Sequence, residues 1–319
     1  MIGSAAGTTK VAVVGAGSVG ATLAYACLVR GIGRTIALYD VNADKTRAEV
    51  LDLQHGLQFV PQATVIGSDD IEVCREADLV VITAGAKQKP GQTRLELAEA
   101  NVALCRALVP QLLEVAPDAI LLLVTNPVDV VTYAALKYSG LSSQRVFGSG
   151  TVLDSSRLRL LVAEHCGVAV QNVHAYIAGE HGDSEIPLWS SASIGSVPLL
   201  AWDVPGRPPL DAAIRDDIVR RVIGAAGEII RGKGATNYAV GLAAARIIEA
   251  VLDDQRQVLP VSSLLDGQAG IRDVCLSLPS VVDRLGVDTV LPGPLSAEEA
   301  EGLRRSADTV RGVIKSLGL

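Results

Sequence analysis

The sequence lacks the features of a nucleic-acid-binding or membrane protein. Lysine and arginine total 28 against 35 aspartate and glutamate residues, which gives a formal net charge of −7. Such a chain has no general attraction for nucleic acid or anionic lipid, so an anionic ligand must be held by locally placed cations. No uninterrupted apolar run reaches the roughly 20 residues that cross a bilayer. We therefore expect no DNA, RNA or membrane partner.

Paired cysteines and metal-binding motifs are also missing. The 5 cysteines are scattered, odd in number and without CxxC spacing, which argues against a disulfide framework or a zinc site. The 4 histidines form no HExxH array, so we predict no metal centre. Residues 1–9 are small and polar and lack a signal-peptide pattern. These features predict a cytoplasmic protein with a flexible tail at residues 1–9.

The first half of the chain alternates between strand and helix patterns. Apolar runs at residues 78–84 and 119–125 are typical of parallel strands buried on both faces, and helical patterns lie between them. Past residue 150 the rhythm changes to short strand-like pieces, long helical patterns at residues 211–233 and 235–251, and a strand-like region at residues 257–265. We predict an α/β fold: a Rossmann-type doubly wound parallel sheet over residues 10–148, followed by an α+β catalytic domain over residues 149–319.

A glycine-rich turn, GAGSVG, follows the first predicted strand and opens a helix. Gly15 permits the tight turn, Gly17 lets the backbone approach a pyrophosphate, and Gly20 lets the helix pack on the strand. The helix N-terminus then offers unpaired N–H groups to the phosphates. Asp40 ends the next strand, where its carboxylate would bond a ribose 2′-OH and repel a 2′-phosphate. The pattern predicts NAD as the cofactor rather than NADP.

Two further segments supply a proton donor and a carboxylate-binding group. His181 lies in GEHGD, and histidine has the side chain that titrates near neutrality, as reduction of a ketone requires. Asp154, in LDSSR, can fix the imidazole tautomer if the fold brings the two together. Arg157 follows three residues later on one predicted helix, where it can hold a substrate carboxylate through two parallel hydrogen bonds. Without the rest of the chain, a surface ion pair at a helix start would be the better interpretation of Asp154 and Arg157.

A polar loop at residues 85–94 follows the predicted strand at residues 78–84. Its Lys, Gln, Pro and Gly content is typical of a loop, and its place beside a cofactor site indicates a lid. Arg94, at the end of the loop, can then swing in and polarise a ketone as water leaves.

Together these segments resemble the lactate/malate dehydrogenase family along essentially the whole chain. The matching segments are GAGSVG, Asp40, AGAKQKPGQTR, TNPVD, SGTVLDSSRLR, GEHGD and KGAT. The resemblance implies that His181 is the proton donor and acceptor, Asp154 its orienting partner, Arg157 the carboxylate clamp and Arg94 the lid arginine. It also assigns Asn126 and Thr236 to the substrate pocket. The implied cofactor contacts are Gly15, Gly17, Ser18, Val19, Gly20, Asp40, Thr83, Ala84, Gly85, Asn126 and Val240.

Gln88 occupies the lid position that separates substrates within that family. Members that act on malate carry arginine there, which pairs with the second carboxylate of oxaloacetate. Closing that carboxylate into a dry pocket without a partner would cost several kcal/mol, so a neutral Gln88 favours pyruvate and L-lactate. Lys87 and Lys89 leave an alternative open, in which one of them reaches inward and the substrate is malate or another L-2-hydroxy acid.

The resemblance further implies an effector site and an assembly. Arg159 and His174 stand where bacterial members of the family bind fructose 1,6-bisphosphate across a subunit interface. Two cations per subunit meeting across a two-fold axis suit a polyanion. The alternative is that they are two unrelated surface residues. The family also implies a homotetramer.

An NAD-binding module or redox sensor without catalytic activity is the competing hypothesis from another class of protein. The intact set of Arg94, Asp154, Arg157 and His181 argues against it, because a protein without catalysis has no need of all four together.

Overall fold

The computed structural model describes residues 9–86, 93–203, 205–206 and 209–319. The strands are β1 (Lys10–Val14), β2 (Thr35–Tyr39), β3 (Thr64–Ser68), β4 (Leu79–Ile82), β5 (Ile120–Leu123), β6 (Val146–Gly148), β7 (Val173–His174), β8 (Ile177–Ala178), β9 (Ile186–Pro187), β10 (Ser193–Ile194), β11 (Val197–Pro198), β12 (Gln257–Asp266), β13 (Arg272–Asp283) and β14 (Gly286–Val290). The helices are α1 (Ser18–Arg30), α2 (Ala43–His55), α3 (Arg94–Val115), α4 (Val128–Ser139), α5 (Val152–Cys166), α6 (Ala212–Lys233), α7 (Tyr238–Leu252) and α8 (Ala297–Ser316).

A parallel sheet in the order β3-β2-β1-β4-β5-β6 forms the first half of the protein. Its central strands are continuous apolar runs because both faces are covered by helices. Along β1, Val11 and Val13 face a core that includes α1 and α7, whereas Ala12 and Val14 face a second core that includes α3 and α4. The doubly wound parallel sheet predicted from the sequence is confirmed.

The second half of the chain extends the same sheet. Strands β12, β13 and β14 are antiparallel and join the parallel part where Ser262 of β12 pairs with Gly148 of β6. The sequence predicts a strand at residues 257–265 but gives no sign that it continues the first sheet. The predicted domain boundary between residues 148 and 149 therefore falls inside a nine-stranded sheet. Thr9, the last residue of the predicted tail, accepts backbone hydrogen bonds from Arg34 and Thr35.

Helix α7 begins three residues later than the pattern at residues 235–251 predicts. Gly234 ends α6 in the left-handed region, and residues 235–237 form the turn between the two helices. Asn237 Nδ2 donates to Thr22 Oγ1 at 2.9 Å, which holds this turn against α1. Among the described residues, no helix is long and apolar enough to cross a membrane.

Candidate active site

The turn between β1 and α1 is packed tightly against the loop that follows β4. Gly15 has φ +103°, and a Cβ there would lie 2.6 Å from the backbone nitrogen of Ala84. A Cβ on Gly20 would lie 1.9 Å from the carbonyl oxygen of Gly15. Thr83 Oγ1 donates to that same oxygen at 2.9 Å. The first and third glycines are thus required by close backbone contact.

Gly17 is different because its Cβ position is open. A Cβ built there meets no heavy atom of the described residues within 4 Å. Gly17 also caps α1 without a side-chain hydrogen bond, which leaves the first-turn N–H groups of the helix for a ligand. An open cradle at a helix N-terminus fits a pyrophosphate.

Asp40 lies at the carboxyl end of β2, beside this cradle. Its Oδ2 accepts a hydrogen bond from the N–H of Ala16 at 2.8 Å, and its Oδ1 accepts one from the N–H of Asn42 at 3.0 Å. The carboxylate is half-buried, so its charge is fixed at the edge of the cradle with one side toward solvent. The cradle and the carboxylate together fit the pyrophosphate and ribose of NAD.

Asp154 joins the two other predicted catalytic side chains. Its Oδ2 lies 2.6 Å from Nδ1 of His181, and its Oδ1 accepts from Nη1 of Arg157 at 2.6 Å. Asp154 is 2 % exposed, and the Arg157 side chain 15 %. This burial argues against an ordinary surface ion pair, which was the alternative left open by the sequence.

Helix α5 is tied to β8, the strand that leads into the GEHGD loop. Thr151 Oγ1 donates to the carbonyl of Ile177 at 2.6 Å, and Ser155 Oγ accepts from the N–H of the same residue at 2.8 Å. These bonds fix the first turn of α5, and hence Asp154, beside the start of the loop that carries His181.

The contact with Asp154 increases the affinity of His181 for its proton. Burial by itself would lower the pKa of His181, but the charge and hydrogen bond of Asp154 outweigh it and raise that pKa to about 9. Burial would also raise the pKa of Asp154, yet His181 and then Arg157 hold it below its ordinary value. Because Asp154 contacts Nδ1, the Nε2 atom of the imidazole is left to exchange a proton with a ligand.

Asp129 anchors the loop that carries His181, a role that the sequence analysis missed. Its Oδ2 accepts from the backbone N–H of His181 at 2.8 Å, and its Oδ1 accepts from Ser262 Oγ at 2.6 Å. Burial raises the pKa of Asp129 to about 6. The TNPVD segment contains Asp129, but its sequence gave no indication that the side chain would reach a loop 52 residues away.

Arg94 reaches the same loop from the start of α3. Its Nη2 lies 2.8 Å from Oδ2 of Asp183, two residues after His181, and both side chains are largely exposed. Arg94 therefore lies at the mouth of the site, paired with a carboxylate. Gln88, the predicted specificity residue, lies outside the residues that the structure describes.

Asn101 is a second residue that sequence reasoning missed. It is buried on α3, where its Oδ1 accepts from the N–H of Ala86 at 2.7 Å and its Nδ2 donates to the carbonyl of Asn126 at 2.7 Å. The side chain of Asn126 is exposed beside the cis bond to Pro127. Asn101 thus links the start of the predicted lid to the predicted substrate residue Asn126.

The remaining predicted contacts lie around these groups. Gly85 follows β4, and Ser18 and Val19 begin α1. Thr236 is half-buried in the turn between α6 and α7, and Val240 packs against the core shared by α1 and α7.

Arg159, one of the two predicted effector residues, contacts the residue that follows the other, His174. Arg159 Nε donates to the carbonyl of Ala175 at 2.8 Å, and its guanidinium lies 4.8 Å from the ring centroid of Tyr176. His174 is exposed at the end of β7.

Comparisons with known proteins agree over both halves of the chain. The family model described as lactate/malate dehydrogenase, NAD binding domain, matches residues 9–148. The model described as lactate/malate dehydrogenase, alpha/beta C-terminal domain, matches residues 151–317.

Similar proteins cover the chain almost completely. An L-lactate dehydrogenase of Bifidobacterium animalis subsp. lactis is 55% identical over 319 residues, which is 100% of both chains. L-lactate dehydrogenase B of Hordeum vulgare is 48% identical over 98% of this chain and 91% of its own. The crystal structure of the minor L-lactate dehydrogenase from Enterococcus mundtii superposes with a TM-score of 0.93 at 36% identity, covering 97% of this chain and 98% of the other.

The cradle geometry separates the roles of two glycines. We expect Gly20→Ala to destabilise the protein by about 2 kcal/mol or more, because its methyl group collides with a backbone carbonyl. Gly17→Ala meets no such contact and should leave the free energy of unfolding within about 1 kcal/mol of the parent value. It should nevertheless weaken NADH binding at least about tenfold, because the methyl group enters the space for the pyrophosphate.

Denaturant unfolding and a fluorescence titration with NADH measure both effects. Equal loss of stability in the two variants, or unchanged NADH affinity in Gly17→Ala, would contradict this assignment.

Proposed function

The chain belongs to the lactate/malate dehydrogenase family, and we propose that its reaction within that family is the reversible reduction of pyruvate to L-lactate. It is accordingly an NAD-dependent oxidoreductase. The observation that carries the proposal is that the buried carboxylate of Asp154 contacts both His181 and Arg157. A proton donor and a carboxylate clamp held side by side suit a small 2-oxo acid.

The roles of the side chains follow from their positions. NADH, when bound at the cradle of Gly17 and Asp40, supplies the hydride that the ketone carbon receives. His181 gives the Nε2 proton to the ketone oxygen, so that one hydride and one proton convert the ketone to the alcohol. Asp154 stabilises the imidazolium before the transfer and orients the neutral ring after it. In the reverse direction His181 takes the alcohol proton.

Two arginines hold and polarise the substrate in this proposal. One guanidinium N–H group of Arg157 pairs with Asp154, and the other N–H groups bind the substrate carboxylate. Arg94 leaves Asp183 and turns to the ketone oxygen as the lid closes and water is excluded. Asn126 and Thr236 line the pocket beside the reacting carbon.

The choice of pyruvate rests on the neutral Gln88 and on the names of the similar proteins, which are L-lactate dehydrogenases. We expect NADH oxidation to be at least about a hundredfold more efficient with pyruvate than with oxaloacetate, measured as kcat/KM under identical conditions, because a second carboxylate would stay unpaired. Gln88→Arg should shift that ratio toward oxaloacetate by a similar factor. A parent enzyme that prefers oxaloacetate, or a Gln88→Arg ratio equal to the parent ratio, would refute the substrate assignment.

We propose in addition that Arg159 and His174 form half of a fructose 1,6-bisphosphate site. The support for this proposal is that Arg159 donates a hydrogen bond to the carbonyl of Ala175, the residue after the exposed His174. Two such pairs meeting across a two-fold axis would concentrate four cationic groups on one ligand when the histidines are protonated.

The effector proposal is tested by titrating the bisphosphate against pyruvate reduction. We expect the KM for pyruvate to fall, and we expect Arg159→Gln to abolish the response because a phosphate contact is lost. Arg304→Gln is the matched control, since Arg304 is an exposed helix arginine that is ion-paired with Glu301. If the parent enzyme shows no change in KM or kcat with the bisphosphate, the site has no regulatory function.

A homotetramer is the assembly that we propose. Helices α1 and α7 pack together and expose large apolar side chains, namely Tyr25, Val29, Tyr238 and Leu242. Such side chains on adjoining helices favour burial against another subunit. A cytoplasmic location is proposed because the five cysteines are buried and are scattered along the chain without the spacing of a disulfide framework.

A further inference from the structure

Glu185 is a buried carboxyl group beside the catalytic pair. It follows His181 by four residues and directly precedes β9. The residue is 7 % exposed, and its Oε1 is fully buried without a hydrogen-bond partner among the described residues. A buried carboxylate without a partner is costly, so such a group either stays protonated or has a function that depends on its charge.

Glu185 lies close to the two side chains that share the catalytic proton. One carboxyl oxygen of Glu185, one carboxyl oxygen of Asp154 and one ring nitrogen of His181 all lie within 4.8 Å of one another. No hydrogen bond connects Glu185 to either group among the bonds of the described residues, so its influence on the pair is electrostatic.

Several other charged groups face this cluster from the packed elements. Helix α5 contributes Arg157 in addition to Asp154, α4 contributes Asp129, and the loop itself contributes Glu180. Asp183 is neutralised by Arg94 of α3. Strand β13 contributes the thiol of Cys275, which burial keeps protonated by raising its pKa well above the ordinary value. Strand β12 contributes the hydroxyl group of Ser262, which donates to Asp129, and α8 contributes that of Ser306, which accepts from the N–H of Glu180. Neither hydroxyl group titrates.

In this environment Glu185 loses its proton over a pH range close to that in which His181 loses its own. Burial and then the charge of Asp154 raise the pKa of Glu185 to about 8. The carboxyl group is therefore neutral at neutral pH and becomes negative in mildly alkaline solution. Once negative, it lies beside the imidazole and opposes the loss of the proton from His181.

We propose that Glu185 is a positioning residue that keeps the catalytic proton on His181 in alkaline solution, by placing an ionisable carboxyl group next to the imidazole ring. The proposal rests on the proposed function, in which His181 donates that proton to pyruvate. Its consequence is that pyruvate reduction continues to a higher pH than Asp154 alone would allow.

The test is the pH dependence of kcat/KM for pyruvate in the parent enzyme and in Glu185→Gln. The amide has the same shape as the carboxyl group but cannot ionise. We expect the alkaline decline to move to lower pH by at least about 0.5 unit, because two unit charges within 4.8 Å interact that strongly even with the screening of water. At neutral pH, where Glu185 is uncharged, the two enzymes should have similar kcat/KM.

Glu299→Gln is the matched control. Glu299 is also a buried glutamate of the second half, at 8 % exposure, but it accepts hydrogen bonds from the N–H groups of Ser190 and Ser296, both at 2.8 Å. Glu299 is not part of the cluster formed by Asp154, His181 and Glu185. We expect this variant to lose stability without any movement of the alkaline decline.

The outcomes separate the two proposals. A parent enzyme that does not reduce pyruvate refutes the proposed function. An active parent whose alkaline decline is unchanged in Glu185→Gln refutes the role of Glu185 alone.

A second measurement is made on the parent protein and does not require Glu185→Gln to fold. The ring C–H signal of His181, assigned by comparison with His181→Asn, should follow a titration curve in the parent protein that is broader than that of one isolated group, because two interacting groups lose protons in the same range. A curve that fits a single proton equilibrium overturns the proposal.

Discussion

The buried carboxylate of Asp154 is the constraint on which the rest of the site depends. A carboxylate at 2 % exposure is stable only if both oxygens have partners, and here one bonds His181 and the other Arg157. The same charge therefore meets two needs of the proposed reaction, since it stabilises the imidazolium and fixes the guanidinium beside it. Removing it would leave the half-buried side chains of His181 and Arg157 without this partner, so the three side chains act as one unit.

Hydrogen bonds between distant parts of the chain connect this unit to the sheet that carries the proposed cofactor cradle. The proposed NAD cradle lies at the carboxyl ends of β1, β2 and β4, as is general for open parallel sheets. Asp129 holds the loop of His181 onto α4, and Asn101 holds the chain after β4 to the carbonyl of Asn126. These two buried polar residues therefore connect the His181 loop and the chain after β4 to the framework of the sheet and its helices.

The features that were predicted correctly from the sequence depend on interactions between residues close together in the chain. The GAGSVG turn, the apolar strands and the spacing of Asp154 and Arg157 are determined within a few residues, and the structure has them as expected. The anchoring of His181 by Asp129 depends on contacts between segments far apart in the chain, which no local pattern encodes. The orphan oxygen of Glu185 and the extension of the sheet at Ser262 were missed for the same reason. Residue roles assigned by resemblance, such as that of Gln88, remain predictions.

The dependence of the site on Asp154 is tested by the pH profile of pyruvate reduction in Asp154→Asn, with denaturant unfolding to verify the fold. Asp154 raises the pKa of His181 to about 9, so its neutral replacement should lower that pKa and cause the proton to be lost at a lower pH. We expect kcat/KM to fall about a hundredfold or more at neutral pH, and the alkaline decline to move to lower pH. A folded variant that keeps the parent kcat/KM and the parent pH profile would show that the reaction does not depend on the Asp154 carboxylate.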